Sequence, residues 1–548
     1  MNETTAVTCP LCGDEVHKLI YRFHLESERL VLDKIKEQFP DWAIDDGICS
    51  RCIDYYHTEL LIQQRMLPEI GPHFPVKSPD DFIILPSALR IDTDVRFTGK
   101  GVTICFIDSG FYLHDDLIKT RNRIKKIVDI THPDNTEEFF RKPHSSAWHG
   151  TMTSVVCAGD GYCSNGLYKG IAPDAELVLI KVQDDNGRIP TANIMKALEW
   201  VVANHLTYNI KIVNMSVSAD ENMSYHESGI DQLAEQLINA GVNIVAAAGN
   251  DTEVMIKPPA NAPNVISIGG VDDANDLTAV PFSYHSSFGP TIDGLYKPEL
   301  VANAIWIAAP ILPCTMEAEE AAALHHALQL SDEELMLQWP DVQKNTSLSE
   351  NGNEKMSVTY YRQLLAKRVM QTKFFSKHYM HVDGTSFAAP LVTGVIAQLL
   401  QAKPELDPLN IRRLLFSTAK RLPDVPVVKQ GYGYIRPRRA LLNILNREVV
   451  MKQHASPFIN RPKRMIEFHI QNTCAHQISL AGSFNYWAQD VLLMEPCANG
   501  SWKIEIPMPP QGTYTYKFLI DDKMWVEDVE NPVREPDGFN GWNSVLTV

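Results

Sequence analysis

Along residues 101–445, short apolar runs alternate with stretches whose apolar residues recur every three or four positions. "GVTICFID", "AELVLIKV", "IKIVNMSV", "NIVAAAGN" and "NVISIGGV" read as strands buried on both faces. Between them, "TANIMKALEWVVANH" sets Ile194, Ala197, Leu198, Val201 and Val202 on one helical face, and Ile230, Leu233 and Leu237 mark the next helix. Continuous apolar strands separated by amphipathic helices predict an α/β fold, with a parallel sheet covered on both faces. Ligands of such sheets bind beyond the carboxyl ends of the strands. Asp108 ends the first run and Asn250 the fourth, and Ser386 opens a helix in "HVDGTSFAAPLVTGVIAQLLQA", where it also reads as an N-cap.

Residues 311–380 form a segment far longer than the roughly 15 residues at which plain loops become uncommon. "TMEAEEAAALHHALQL" and "SVTYYRQLLAKRVMQTKFF" are helix-compatible, and Ser331 with Glu334 makes a capping-box pattern. A helical insertion before Ser386 is expected, either a surface hairpin or a substrate-gating lid. A charged linker is expected over 446–464, after which the period changes to two. "SWKIEIPM" puts Trp502, Ile504 and Ile506 on one face, and "YTYKFLID" does so with Tyr514, Tyr516, Phe518 and Ile520. Residues 465–548 are therefore expected to form a small antiparallel β-sandwich of immunoglobulin-like kind.

The chain has 548 residues, enough for several domains. Its apolar and charged fractions, 45% and 21%, are those of a soluble protein, and no run approaches the ~20 apolar residues that span a bilayer. A net charge of -17 argues against nucleic acid as a partner. "MNETTAVTCPLCGDEV" has no basic stretch followed by an apolar one, so a cytoplasmic location is expected. Four of the ten cysteines form two C-x-x-C pairs, Cys9 with Cys12 and Cys49 with Cys52. Four thiolates suit one structural zinc ion, and a reducing compartment disfavours the disulfide alternative. Residues 1–75 are read as this zinc module, with "SERLVLDKIKEQF" as a helix between the knuckles. The other six cysteines, Cys105, Cys157, Cys163, Cys314, Cys474 and Cys497, read as buried thiols.

"WHGTMTSVVCAG" adds His149 to Asp108 and Ser386. A serine hydroxyl must lose its proton as it attacks a carbonyl, an imidazole can take that proton, and a carboxylate fixes the tautomer. The Asn250 amide and the Ser386 N–H could then stabilise the oxyanion. "VTICFIDSG", "HGT", "AAAGN" and "GTSFAAP" together resemble the subtilisin-like serine proteases, in that family's order Asp, His, Ser. The resemblance spans about 86–445 and includes "KGIAPDAELVLIKV", "KPELVA" and "GYGYIRP". It implies a serine endopeptidase with Asp108, His149, Ser386 and Asn250 as catalytic residues. Ser216 and Lys257 become substrate-binding positions, since alignment on "PNVIS" puts Lys257 near the floor of the first specificity pocket. The family's inhibitory folding segment is not recognisable, nor are its calcium loops, so calcium stays open.

"ISLAGSFNYW", "GTYTYKFLIDDKMWVED" and "GWNSVLTV" resemble the glycogen- and starch-binding modules of branching enzymes and of the β subunit of AMP-activated kinase. In that family two tryptophans stack on glucose rings while a lysine and an asparagine bond hydroxyls. The matching positions are Trp487, Trp525, Lys517 and Asn543, with one extra residue between Lys517 and Trp525. The expected partners are thus a protein or peptide substrate and glycogen or a related α-glucan. The alternatives are a glucan-binding scaffold with a silent protease domain and an interaction protein.

Overall fold

The computed structural model describes residues 7–11, 15–16, 29–49, 52–53, 56, 84–144, 146–277, 279–346, 348, 357–445, 456–460, 464–472, 475–489, 491–497, 500–528, 530–531, 533–538 and 541–548. The chain divides into two compact units. One comprises Met1–Pro408 and Arg421–Tyr434, the other Leu409–Lys420 and Ile435–Val548.

Near the N-terminus, Val7–Thr8 pairs antiparallel with Glu15–Val16, and helix α1 (Arg29–Gln38) follows. Val31 and Ile35 of α1 bury themselves against Trp42, Ile48 and Tyr56, a small core of the size a metal-stapled module uses.

The first unit is built on seven parallel strands: β1 (Thr103–Asp108), β2 (Ile124–Asp129), β3 (Glu176–Lys181), β4 (Ile210–Met215), β5 (Asn243–Ala247), β6 (Ile266–Asp272) and β7 (Leu300–Asn303). Their order is β7-β6-β5-β4-β1-β3-β2, and Phe282–Ser283 adds an antiparallel edge to β6. The five predicted strands are all present. β2 was not predicted, because an edge strand carrying exposed Lys125 and Lys126 lacks the continuous apolar run of an inner one. Helices α2 (Ala147–Ala158), α3 (Thr191–Tyr208) and α4 (Gly229–Asn239) follow β2, β3 and β4. Ile194, Ala197, Leu198 and Val201 of α3 and Ile230 and Leu237 of α4 bury one face of the sheet with Cys105, Ile107, Val213 and Ile244. The alternate residues Ile104, Phe106, Leu179 and Ile212 are also fully buried, so both faces are covered.

Ribbon strands β8 (Ile307–Pro310) and β9 (Tyr379–Val382) pair antiparallel and carry the insertion between them. It consists of α5 (Met316–Gln329), α6 (Asp332–Asn345) and α7 (Val358–Thr372), capped by the hydroxyls of Thr315, Ser331 and Ser357. The expected capping box forms, with the Ser331 N–H and hydroxyl both donating to Glu334. After β9 comes α8 (Thr385–Ala402), which packs on α2 and against β4, β5, β6 and β7. Its length and hydropathy would let it cross a bilayer, yet 83% of it is buried, as in a core helix.

In the second unit, α9 (Pro437–Leu445) is tied to the sandwich by an Arg439–Glu495 ion pair and a 2.9 Å bond from Asn443 Nδ2 to the Pro496 carbonyl. One sheet joins Phe458–Asn460, β10 (Met465–Gln471), β12 (Ser501–Pro507) and Glu495–Pro496. The other joins β11 (Ile478–Gly482), β13 (Thr513–Ile520), β16 (Trp542–Thr547) and β15 (Arg534–Pro536), with β14 (Met524–Val526) on β13. The alternating residues meet as the pattern requires: Trp502, Ile506, Tyr516, Phe518 and Ile520 form the core with Ile466, Phe468, Leu480 and Leu546.

Candidate active site and carbohydrate-binding face

Asp108 is the last residue of β1, where the strand order reverses between β3 and β4, and it is fully buried. Its Oδ1 accepts the Ser109 N–H at 2.6 Å and the His149 Nδ1–H at 2.7 Å, while Oδ2 accepts the Thr153 hydroxyl at 3.0 Å. A carboxylate can only accept here, so Nδ1 carries the proton of this bond and Nε2 is the ring's other nitrogen. His149 and Thr153 lie four residues apart on α2 and so face Asp108 together. Thr153 was missed in the sequence, although that spacing was its signal.

Ser386 stands in the first turn of α8, which packs against α2. The ring of its neighbour Phe387 lies 5.6 Å from that of His149. The N-cap is Gly384 rather than Ser386, because φ 130° and ψ 152° there need a residue without a side chain. Ser386 is therefore the second helical residue, half-buried between the buried Thr385 and Phe387.

Asn250 follows β5 and is buried. Its Oδ1 accepts both the Thr385 N–H at 2.8 Å and the Thr385 hydroxyl at 2.9 Å, which fixes the amide orientation and leaves its NH₂ as a donor. Ser216 follows β4 and spends its hydroxyl on the Ser386 carbonyl at 2.8 Å. The Lys257 ammonium donates to the Asp220 carbonyl at 2.9 Å.

The sulfurs of Cys9, Cys49 and Cys52 all lie within 4.8 Å of one another, with Cys9 and Cys52 3.9 Å apart. A tetrahedral ion at about 2.3 Å from each sulfur would space them about 3.8 Å apart, and the Cys9–Cys52 separation fits that spacing. Cys12 lies outside the described residues. The described residues also bring together His114, Asp116 and Cys163. There Asp116 accepts the Cys163 N–H at 2.8 Å and the Tyr379 hydroxyl at 2.6 Å. Nitrogen and sulfur donors are not the oxygen set that calcium takes.

In the second unit, the ring centroids of Trp487 and Trp525 are 6.0 Å apart, edge to face. Register pairs Trp525 with Leu519, so Trp525 shares the outward face of β13 with Lys517. Asn543 shares that face through β16, where Val545 opposes Thr515. The Lys517 ammonium is paired with Asp537, a residue that sequence reasoning did not single out. Trp525 is 38% exposed, enough to present a ring face.

The model of the subtilase family matches residues 99–434. The chain belongs to this family. This subtilase is also matched over residues 466–548 by the glycogen recognition site of AMP-activated protein kinase, so a serine protease fold is joined to a glycogen-recognition module. It is 28% identical to serine protease AprX of Bacillus subtilis over 361 residues, 63% of this chain and 67% of that one. A cuticle-degrading serine protease of Arthrobotrys oligospora is 26% identical over 236 residues, 43% of this chain and 52% of the relative. The chain thus spans about two thirds of the first relative's length and about half of the second's. Among solved structures, Sphericase aligns with 65% of this chain and 98% of its own at 20% identity and a TM-score of 0.43.

Proposed function

We propose that this subtilase is a serine endopeptidase acting through Asp108, His149 and Ser386, and that its sandwich retains it on glycogen or a related α-glucan. The observation that carries the reading is the 2.7 Å bond from His149 Nδ1–H to Asp108, with Ser386 in the adjoining helix turn. As Ser386 Oγ attacks a peptide carbonyl, its proton passes to His149 Nε2, and Asp108 stabilises the imidazolium. The oxyanion of the tetrahedral adduct takes the Asn250 NH₂ and the Ser386 N–H, aided by the N-terminal dipole of α8. The imidazolium then protonates the leaving amine, leaving an acyl-enzyme that water hydrolyses by the same steps in reverse. Ser216 supports this arrangement by holding the Ser386 carbonyl, and Lys257, whose ammonium donates to the Asp220 carbonyl, is the residue we assign to meet the side chain before the cut.

Zinc belongs to the same proposal as a structural ion held by Cys9, Cys12, Cys49 and Cys52. A thiolate set of this kind persists in a reducing compartment, in keeping with a cytoplasmic location. The test of the catalytic reading is a fluorophosphonate probe with a short peptide substrate. Wild type should label and turn over, and Ser386→Ala should do neither. Absence of labelling in folded wild type would favour a silent, glucan-binding scaffold.

A further inference from the structure

Two ties run from the three-helix insertion to the catalytic residues. The first is Trp148, the residue before His149, which packs against the apolar cluster built by Leu324, Leu335, Trp339, Tyr361 and Leu365. The second is Lys373, the residue after α7. Its ammonium donates to Asp383 Oδ2 at 2.7 Å, and its carbonyl accepts the His381 N–H at 3.0 Å. Asp383 also accepts the Trp306 N–H at 3.4 Å, and the following residue, Gly384, donates its N–H to the Ala304 carbonyl at 2.7 Å. The turn that delivers Ser386 is thus pinned from two sides.

These ties fall where the catalytic helices are weakest. His149 and Ser386 both lie in first turns, where backbone N–H groups have no intrahelical partner and the helix depends on a cap or on packing. Ser146 makes no capping bond to α2, and Gly384 cannot make one to α8, where Asn250 Oδ1 holds the N–H of Thr385. Packing of Trp148 and the Lys373–Asp383 pair add to what holds these two turns in place. The pair is largely shielded, its side chains 15% and 18% exposed, so water screens it less than a surface pair.

We propose that the insertion braces the active site, and that Trp148 and Lys373 are positioning residues that hold His149 and Ser386 in register. This rests on the triad reading above. The insertion is then neither a decorative hairpin nor a lid. It is a second small core, linked by Trp148 to the base and by Lys373 to the nucleophile. Displacing either group by about 1 Å can cost about a hundredfold in rate.

The experiment uses the full chain with Trp148→Ala, Trp148→Phe, Lys373→Met and Lys373→Arg. It measures kcat and KM on a short soluble peptide, the rate of fluorophosphonate labelling and the melting temperature. Trp148→Ala and Lys373→Met should each lower kcat and labelling by about tenfold to a hundredfold, with KM within about twofold. Trp148→Phe and Lys373→Arg should recover most of the loss. If Trp148→Ala does not fold, Lys373→Met decides, since it keeps the side-chain stem and removes only the charge. Wild-type kcat in a folded Lys373→Met overturns the proposal, as does a loss that tracks the unfolded fraction without recovery in Trp148→Phe and Lys373→Arg. Inactive wild type would instead overturn the triad reading itself.

Discussion

Asn250 Oδ1 accepts two hydrogen bonds from one residue, the N–H and the hydroxyl of Thr385, at 2.8 and 2.9 Å. The proposed oxyanion donor, Asn250, and the residue before Ser386 are thereby tied together, linking the segment after β5 to the first turn of α8. Asn250→Ala should lower kcat by about 10²–10³ with little change in KM, because its NH₂ meets charge that exists only in the transition state. Thr385→Val, which removes the hydroxyl and keeps the N–H, should lower kcat less. Steady-state kinetics on a soluble peptide check both, and a rise in KM at constant kcat would remove Asn250 from this role.

Asp231 makes stability depend on pH. It is buried near the start of α4, and burial pushes its carboxyl up to about 7, opposed by the Ser228 hydroxyl and the Asn261 amide. The folded chain therefore holds this proton more tightly than the unfolded one. Asp231 favours folding at low pH, and that contribution is lost as pH rises from about 4 through 7. Asp231→Asn should remove the loss, making the variant more stable than wild type at pH 8, relative to pH 5, by on the order of 2–4 kcal/mol. Denaturant melts of both proteins at the two pH values give the difference directly. An identical pH dependence in the two would show that Asp231 ionises in the folded state without cost.

The N-terminal module should bind one zinc ion per chain. Metal binding energy is folding energy in small modules of this kind, so Cys9→Ser or Cys49→Ser should lose the ion. Chelation should also expose Trp42, now 6% accessible, to solvent while peptide hydrolysis persists. Elemental analysis of reduced protein with Trp42 fluorescence tests this, and metal-free protein with Trp42 still buried would contradict it.

What could be read in the chain depended on how local the cause was. β1 carries its burial and its terminal Asp108 in six consecutive residues, and Ile504 and Tyr516 announce their sheet faces by alternation alone. β7 was hard to see because Leu300–Asn303 is only four residues long. Ser386 looked like a cap because capping preference concerns side chains, whereas the φ of Gly384 decides the matter. Trp148 meets the apolar cluster of the insertion and Lys517 meets Asp537 across chain separations that no periodicity records. How the insertion meets the turn that carries Ser386 is legible only once β8 and β9 close the ribbon.

The sandwich offers the last test. Trp487 and Trp525 stand edge to face, so they present two differently tilted faces, a shape suited to a curved α-glucan chain rather than to one flat ring. Replacing both by Ala should abolish retention on glycogen or amylose. Asp537→Asn should have a different effect, because Asp537 pairs with Lys517 and fixes where its ammonium can meet a hydroxyl. Weakened but measurable retention is expected there. Neither change should alter hydrolysis of a short soluble peptide, since the sandwich core of Phe468, Tyr516 and Phe518 is separate from the sheet that carries Asp108. Protein substrates bound to the same glucan particle are another matter. A tethered enzyme meets them at an effective concentration that can reach about millimolar, so their cleavage should fall in the double variant while free-peptide turnover holds. Wild type passing unretained through a glycogen column would end the targeting proposal. Parallel loss of peptide hydrolysis in the double variant would show instead that the two tryptophans support the fold.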